Sequence, residues 1–377
     1  MNFRTVLQNL ALPLALIGVG AFFGWREEAF LGSRNLTQLI VEFSITGTLA
    51  LGMFLILLTG QIDLSVGSGV GLIGGIAAAL VFQQGWPAPA ALLAGLVAAL
   101  VLWTLLGTLI VRQKIPSFII TLGGLLIFKG LFWLVIQNST VPVARGDEDN
   151  LYSLLTTYYL PDNAGFALGV AVLVVVGILR WRARTARLAH GLTVPAAGAA
   201  IARFALIAGA VLFAIHTFND FRGVPLSLLI LTATAGVVYF LTQHTPFGRY
   251  LYAIGGNEEA AVLSGIPVQR VMIGAYVLMG VAVALTGFMT TAYSGASTTT
   301  VGDLMELDAI AACVIGGTAL RGGRGSVGGV ILGALIMTAL LNGMTLLAVS
   351  PEIKFIARGA VLTLAVWMDV AFGRTRS

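Results

Sequence analysis

The stretch RYLYAIGGNEEAAVLSGIPVQR (249–270) is polar and compact, and it lies between two long apolar segments. Its middle reads as a short amphipathic helix over Glu258, Glu259, Ala260, Ala261 and Leu263, with Asn257 in the N-cap position. An asparagine there accepts from free N–H groups of the first turn, and the two acids that follow suit the positive end of the helix dipole. Gly265 and then Pro267 stop the helix. A small helix held at a membrane surface must contact something, and the side on which it lies decides what.

The flanking sequence sets the class. Of 377 residues, 58% are hydrophobic and 10% charged, with a mean hydropathy of +0.96, whereas soluble domains carry roughly 25% charged residues. The chain is expected to be an all-α, polytopic transmembrane helix bundle, a single transmembrane domain over 1–377 with no soluble domain or linker. A helical crossing needs about 20 apolar residues. Twelve stretches qualify: 7–24, 36–59, 62–82, 87–111, 117–137, 163–181, 198–218, 224–241, 268–291, 304–320, 326–348 and 353–371. The sixth, eighth and tenth are short, which leaves a count of ten to twelve. The longest connection, 138–162, carries Asp147, Glu148 and Asp149 and reads as an extracytoplasmic loop. No cleavable signal peptide is expected at the first apolar run.

Basic residues orient the bundle. With the N-terminus inside and twelve alternating crossings, the inside holds Arg4, Arg112, Lys114, Arg180, Arg182, Arg184, Arg187, Arg203, Arg249, Arg270, Arg321, Arg324, Arg374 and Arg376. The outside holds Arg26, Arg34, Arg145, Arg222 and Lys354, while Lys129 and Arg358 fall within spans. That asymmetry places both termini and the 249–270 helix in the cytoplasm. It also explains the net charge of +5 as membrane anchoring rather than nucleic-acid binding. A lone cysteine, Cys313, excludes an internal disulfide and a cysteine-built metal site.

Two glycine ridges match: Gly67, Gly71 and Gly75 in the third span, and Gly325, Gly329 and Gly333 at the eleventh. Each accompanies a Ser-Val-Gly triplet, 65–67 and 326–328. Small residues at this spacing let helices pack closely, and an internal duplication of the transporter kind is the other reading.

Enzyme chemistry is not visible. The phosphate-binding pattern G-x-x-x-x-G-K-[ST] is missing, so the chain is no ATPase of that type. His190, His216 and His244 lack metal-ligand spacing, and no G-x-S-x-G elbow occurs. No cofactor or metal is expected.

Polar groups inside the membrane then carry the interest, since a carboxylate there costs roughly 2.5 to 3.5 kcal/mol. Glu42 in the second span either faces a polar translocation path or is an interfacial acid. Asp63, opening the third span in QIDLSVGS with Ser65, either caps that helix beside cytoplasmic water or lines the path. Lys129 suits structural pairing with an intramembrane acid. Asp303, Glu306 and Asp308 form a solvated acidic rim or a docking surface for an extracytoplasmic partner. Asn342, Thr318 and Thr338 add uncharged groups, and few buried charges with scattered hydroxyls suit an uncharged polar solute such as a sugar.

Four runs give this pattern a family: TGQIDLSVGS (59–68), IPSFIITLGG (115–124), FGRYLYAIGGNEEAAVLSGI (247–266) and ELDAIAACVIGGTALRGGRGSVGG (306–329). They resemble the permease subunits of ABC-type sugar importers that serve ribose, xylose, arabinose and galactosides. The connection WRARTAR (181–187), the segment after it, NDFRGVP (219–225) and AVWMD (365–369) look closest to the D-xylose branch. Gln61 stands where the group carries a different residue before Ile-Asp. The resemblance implies a bacterial inner-membrane homodimer served by separate ATPase subunits and a periplasmic sugar-binding protein. It also implies that a coupling helix near 256–266 contacts the ATPase through Gly256, Asn257, Glu258, Ala260, Ala261, Ser264 and Gly265. The rival reading from the spans alone is a proton-coupled secondary sugar carrier.

Overall fold

The structure is a computed structural model that describes residues 3–146, 149–194 and 196–373. Asp147, Glu148, Arg374 and Arg376 of the expectations above lie outside the described residues. Long helices dominate: α1 (Phe3–Arg26), α2 (Ser33–Leu58), α3 (Val66–Phe82), α4 (Ala88–Gln113), α5 (Ser117–Val135), α6 (Leu151–Thr157), α7 (Asp162–Ala189) and α8 (Ala197–Asn219). They are followed by α9 (Leu226–His244), α10 (Pro246–Gly256), α11 (Glu258–Leu263), α12 (Val268–Ser294), α13 (Met305–Ile315), α14 (Val327–Leu346) and α15 (Pro351–Gly373).

Proline sets seven of the fifteen helix starts among the described residues. Pro87, Pro116, Pro161, Pro225 and Pro267 are N-cap residues, and Pro246 and Pro351 open their helices. Proline's fixed φ suits a first turn, whose N–H groups have no partner within the helix.

Among the described residues, eight helices are long and apolar enough to cross a membrane: α2, α4, α5, α7, α8, α9, α12 and α14. The bundle is built round α2, whose most apolar stretch is 83% buried, with α12 (67%) and α14 (61%) against it. The α7–α8 hairpin lies outermost, at 11% and 6%.

Two stretches expected to be whole spans are broken. α3 starts only at Val66, after the non-helical segment 61–65. α13 has eleven residues, about 16 Å of helix at 1.5 Å per residue, against a hydrocarbon core of about 30 Å. The non-helical run 316–326 completes its course towards α10. Non-helical backbone covered by protein needs partners outside a helix ladder, and it finds them here. Gly323 N donates to Leu58 O (3.0 Å), Ala319 N to Arg324 O (3.0 Å), and Tyr252 Oη to Gly325 O (3.1 Å).

Glycine permits the contacts round these breaks. A Cβ on Gly74 would lie 2.6 Å from Gly287 O, and one on Gly287 2.7 Å from Val70 O, so α3 and α12 touch backbone to backbone. The two expected ridges also pack closely. Gly71 faces Val301 O and Phe132, and Gly329 and Gly333 face the backbone of Gly316 and Ala312 on α13.

The 138–162 connection is more than a loop. Asn150 caps α6, accepting from Tyr152 N (2.8 Å) and Ser153 N (3.1 Å), while Ser153 Oγ accepts from Asn150 N (3.1 Å). Tyr152 is fully buried and donates to Gly74 O at 2.8 Å. Two short antiparallel pairs hold this cap: β1 (Val141–Pro142) with β4 (Ala296–Ser297), and β2 (Tyr159–Leu160) with β3 (Val224–Pro225).

Asp63 anchors the first break. It accepts from Ser65 N (2.9 Å), Ser65 Oγ (2.6 Å) and the Trp103 indole (2.8 Å), and neither Asp63 nor Ser65 has exposed surface. Each donor orphaned in such a site costs about 1–3 kcal/mol. Asp63→Ala is therefore expected to lower the thermal unfolding midpoint of the detergent-solubilised protein clearly more than Trp103→Phe, which removes one donor. Equal midpoints for Asp63→Ala and wild type would refute the anchoring role.

Candidate functional site

Two regions gather the functional candidates, one on the face of the bundle that carries α11 and one nearer the opposite face. On the first, α10 and α11 form an elbow. Thr245 caps α10, its hydroxyl accepting from Gly248 N, and buried Leu251 and Ile254 fasten that helix to the bundle. Asn257 caps α11 as expected, Oδ1 accepting from Ala260 N at 2.9 Å. Ser264 Oγ donates to Ala260 O (2.8 Å), and Gly265 turns the chain at φ +76°, a backbone region that glycine adopts without strain.

Of the seven residues implied for coupling, Ala261 is buried against the chain itself. Gly256 and Asn257 before the helix, Glu258 and Ala260 on it, and Ser264 and Gly265 after it are exposed. Val262 and Leu263 add apolar surface, Leu263 being 89% exposed. Beside α11 a cavity of about 850 Å³ opens towards the α4–α5 turn, with Gln61, Lys114, Glu258 and Arg270 among its lining. The elbow rests on the second break: Gly255 packs on Leu58 O and on the Gly322–Gly323 backbone.

Nearer the opposite face, a chain of hydrogen bonds ties three helices together. Tyr293 Oη of α12 donates to Glu42 Oε1 (2.9 Å), and Asn342 Nδ2 of α14 donates to Glu42 Oε2 (3.2 Å). Asn35 Nδ2 donates to Asn342 Oδ1 (3.0 Å) and to Phe30 O (2.9 Å). Asn35 and Glu42 lie seven residues apart on α2, two helical turns along one face. The strip runs from half-exposed Tyr293, through half-buried Glu42, to buried Asn342 and Asn35. A cavity of about 650 Å³ reaches it at Asn35, with Ser33, Gln38 and Asp220 also in its wall.

Such a strip offers a carboxylate acceptor, a phenol and two amides in one line. These groups pair with each other when alone, and their geometry suits the hydroxyls of a polyol, each of which donates once and accepts twice.

The remaining candidates separate. Asp63 and Ser65 bond to their own chain, are buried, and stand apart from the Glu42 strip. The acidic trio does not form one rim. Asp303 is exposed and pairs with Lys129, whose Nζ also donates to Thr299 O (2.8 Å) between Phe132 and Trp133. Glu306 is buried against Gly67 at the start of α3. Asp308 is buried beside Arg358 of α15, with Oδ1 3.3 Å from Nε as an ion pair without hydrogen-bond alignment. A solvated rim is therefore excluded for Glu306 and Asp308, because helix packing covers both.

Sequence reading missed Asn35, Tyr293, Trp103 and Arg358 as partners. The spacing of Asn35 and Glu42 on one apolar helix was an available signal. Tyr293, 251 residues from Glu42, had none.

Comparison with known proteins agrees with this arrangement. The family described as branched-chain amino acid transport system / permease component matches residues 35–366, from Asn35 of the polar strip through most of α15. The xylose transport system permease protein XylH of Escherichia coli (strain K12) is 42% identical over 369 residues, covering 98% of this chain and 93% of the relative. XylH of Haemophilus influenzae is 40% identical, covering 98% of both chains. The ribose import permease protein RbsC of Bacillus subtilis is 31% identical over 98% of this chain and 95% of the relative. No solved structure matches the chain. A helical membrane bundle with a capped surface helix, matched by this pattern over residues 35–366, belongs to the family of transport-system permease components.

Proposed function

We propose that the chain is the membrane-spanning subunit of an ATP-driven importer that carries D-xylose across the bacterial inner membrane. The observation that carries this reading is the 42% identity, over 98% of the chain, to a protein named for xylose transport. Two copies would form the translocation unit, with two separate ATPase subunits docked from the cytoplasm and a periplasmic sugar-binding protein delivering the solute.

In this reading α11 is the coupling helix. Its cap gives it a fixed shape without partners, and exposed Glu258, Val262 and Leu263 offer a charged and apolar face to a groove on the ATPase. Glu42 and Asn342, with Tyr293 and Asn35, belong to the sugar's path, and exposed Asp303 contributes to docking of the binding protein. ATP-driven closure of the ATPase pair would shift the bundle between states open to either side, which is alternating access.

The orientation has twelve passes, with both termini, α11 and the non-helical connections 61–65 and 316–326 on the cytoplasmic side. Buried Cys313 leaves a quiet background for thiol labelling. In intact cells, Trp25→Cys is expected to react with an impermeant maleimide, and Leu263→Cys only after permeabilisation. The reverse pattern would invert the topology.

The function is tested by xylose uptake into proteoliposomes holding the chain, its ATPase and the binding protein. Uptake should require ATP and the binding protein and ignore a proton uncoupler. Uptake by the chain alone, abolished by the uncoupler, would instead make it a secondary carrier. In the same assay, Glu258→Arg and Gly265→Pro should remove ATP-coupled uptake while membrane insertion stays normal, the proline because it cannot adopt φ +76°. Wild-type uptake by both variants would leave α11 without a coupling role. Glu42→Ala should lower uptake by roughly tenfold, on the scale of one or two lost hydrogen bonds to a charged acceptor. An unchanged rate would remove the strip from the path.

A further inference from the structure

The α7–α8 hairpin is not absorbed by that account. It packs mainly on itself, and its apolar stretches are almost wholly turned to the surroundings. α7 has 28 residues, about 42 Å of helix, which exceeds the hydrocarbon core of about 30 Å. The excess is its basic end. Arg180, Arg184 and Arg187 recur at intervals of four and three, which places them on one helical face. Arg203 joins them from the first two turns of α8.

These four arginines border a groove of about 430 Å³ whose wall includes Trp181 and Phe204. From 163 to 219 the sequence has no aspartate or glutamate, so the hairpin carries a net positive charge. α8 also starts without a side-chain cap, and its free N–H groups add positive potential at the same end. Trp181 is 66% exposed and Ile201 68%, an aromatic and apolar collar of the kind found where a helix leaves lipid.

We infer that this groove binds an anionic phospholipid, with its phosphate among Arg180, Arg184, Arg187 and Arg203 and its acyl chains along Trp181 and Phe204. Charge selects the headgroup, because guanidinium groups pair with phosphate in a bidentate fork. The apolar wall selects a lipid over an acidic protein surface, which has no hydrocarbon to lay along Phe204. The site would hold the outermost hairpin to the inner leaflet, whose anionic lipids attract basic segments next to a span.

Native mass spectrometry of the full-length protein, titrated with phosphatidylglycerol or phosphatidylcholine, tests this. Wild type should retain phosphatidylglycerol at a lipid concentration roughly a hundredfold lower than the R184Q/R187Q/R203Q variant, each arginine contributing about fivefold. The R184K/R187K/R203K variant should keep a preference for phosphatidylglycerol, separating lost charge from lost fold. If the triple glutamine variant does not fold, Arg203→Gln alone should weaken retention by about fivefold. Excess inorganic phosphate should leave the bound lipid in place. Displacement by phosphate would make the site a free-anion site, and equal retention of the two lipids, or of phosphatidylglycerol by wild type and variant, would overturn the inference. So would loss of ATPase association in the glutamine variant with lipid retention intact.

Discussion

Backbone N–H and C=O groups covered by protein must find partners within it, and two non-helical stretches of this chain, between α2 and α3 and between α13 and α14, have to meet that demand. These stretches, at 61–65 and 316–326, dictate much of what surrounds them. Asp63 folds its carboxylate back on Ser65 and reaches Trp103 on α4, which fixes where α3 begins. At the other break, Leu58 O takes the Gly323 N–H and the Tyr252 hydroxyl takes Gly325 O. Glycines let the neighbouring backbones come near: Gly255 and Gly322 pack on Leu58 O, and Gly329 of α14 packs on Gly316. A straight helix in either place would need none of this support and would offer no point at which to bend.

The breaks also join the two functional regions. α11 follows directly from α10, and Gly255 of α10 rests on Leu58 and on the Gly322–Gly323 backbone. That segment leads back into α13, where Ala312 and Gly316 pack on α14, the helix that carries Asn342 to Glu42. A push on α11 therefore meets a contiguous packed route to the polar strip, through the segment with the least helical stiffness. The peripheral α7–α8 hairpin lies off this route, consistent with an anchoring role.

Much of the bundle was legible because proline and glycine mark helix ends chemically. Asn257 marks the start of α11, which ends at Leu263, two residues before Gly265, and most of the apolar runs overlap a long helix. The shortness of α13 was not legible, since the run 309–320 carries no charge and hydropathy does not distinguish a helix from a buried turn. α6 was hidden for the opposite reason. Its polar surroundings suggest a loop, and only the contact of Tyr152 with Gly74 gives it a place in the core. The acids at 303–308 show the limit most plainly. Their spacing is the same whether solvent or another helix faces them, and Gly67 and Arg358, which cover Glu306 and Asp308, lie far away in sequence.

The proposed link between α11 and the non-helical stretches can be measured directly by hydrogen–deuterium exchange on the permease–ATPase complex in liposomes, with an ATPase that binds but does not hydrolyse ATP. On adding ATP, exchange at 316–326 and 59–65 should change together with that at α11, while the α7–α8 hairpin stays constant. Unchanged exchange at both breaks in a complex shown to be transport-competent would contradict the route from α11 to the polar strip.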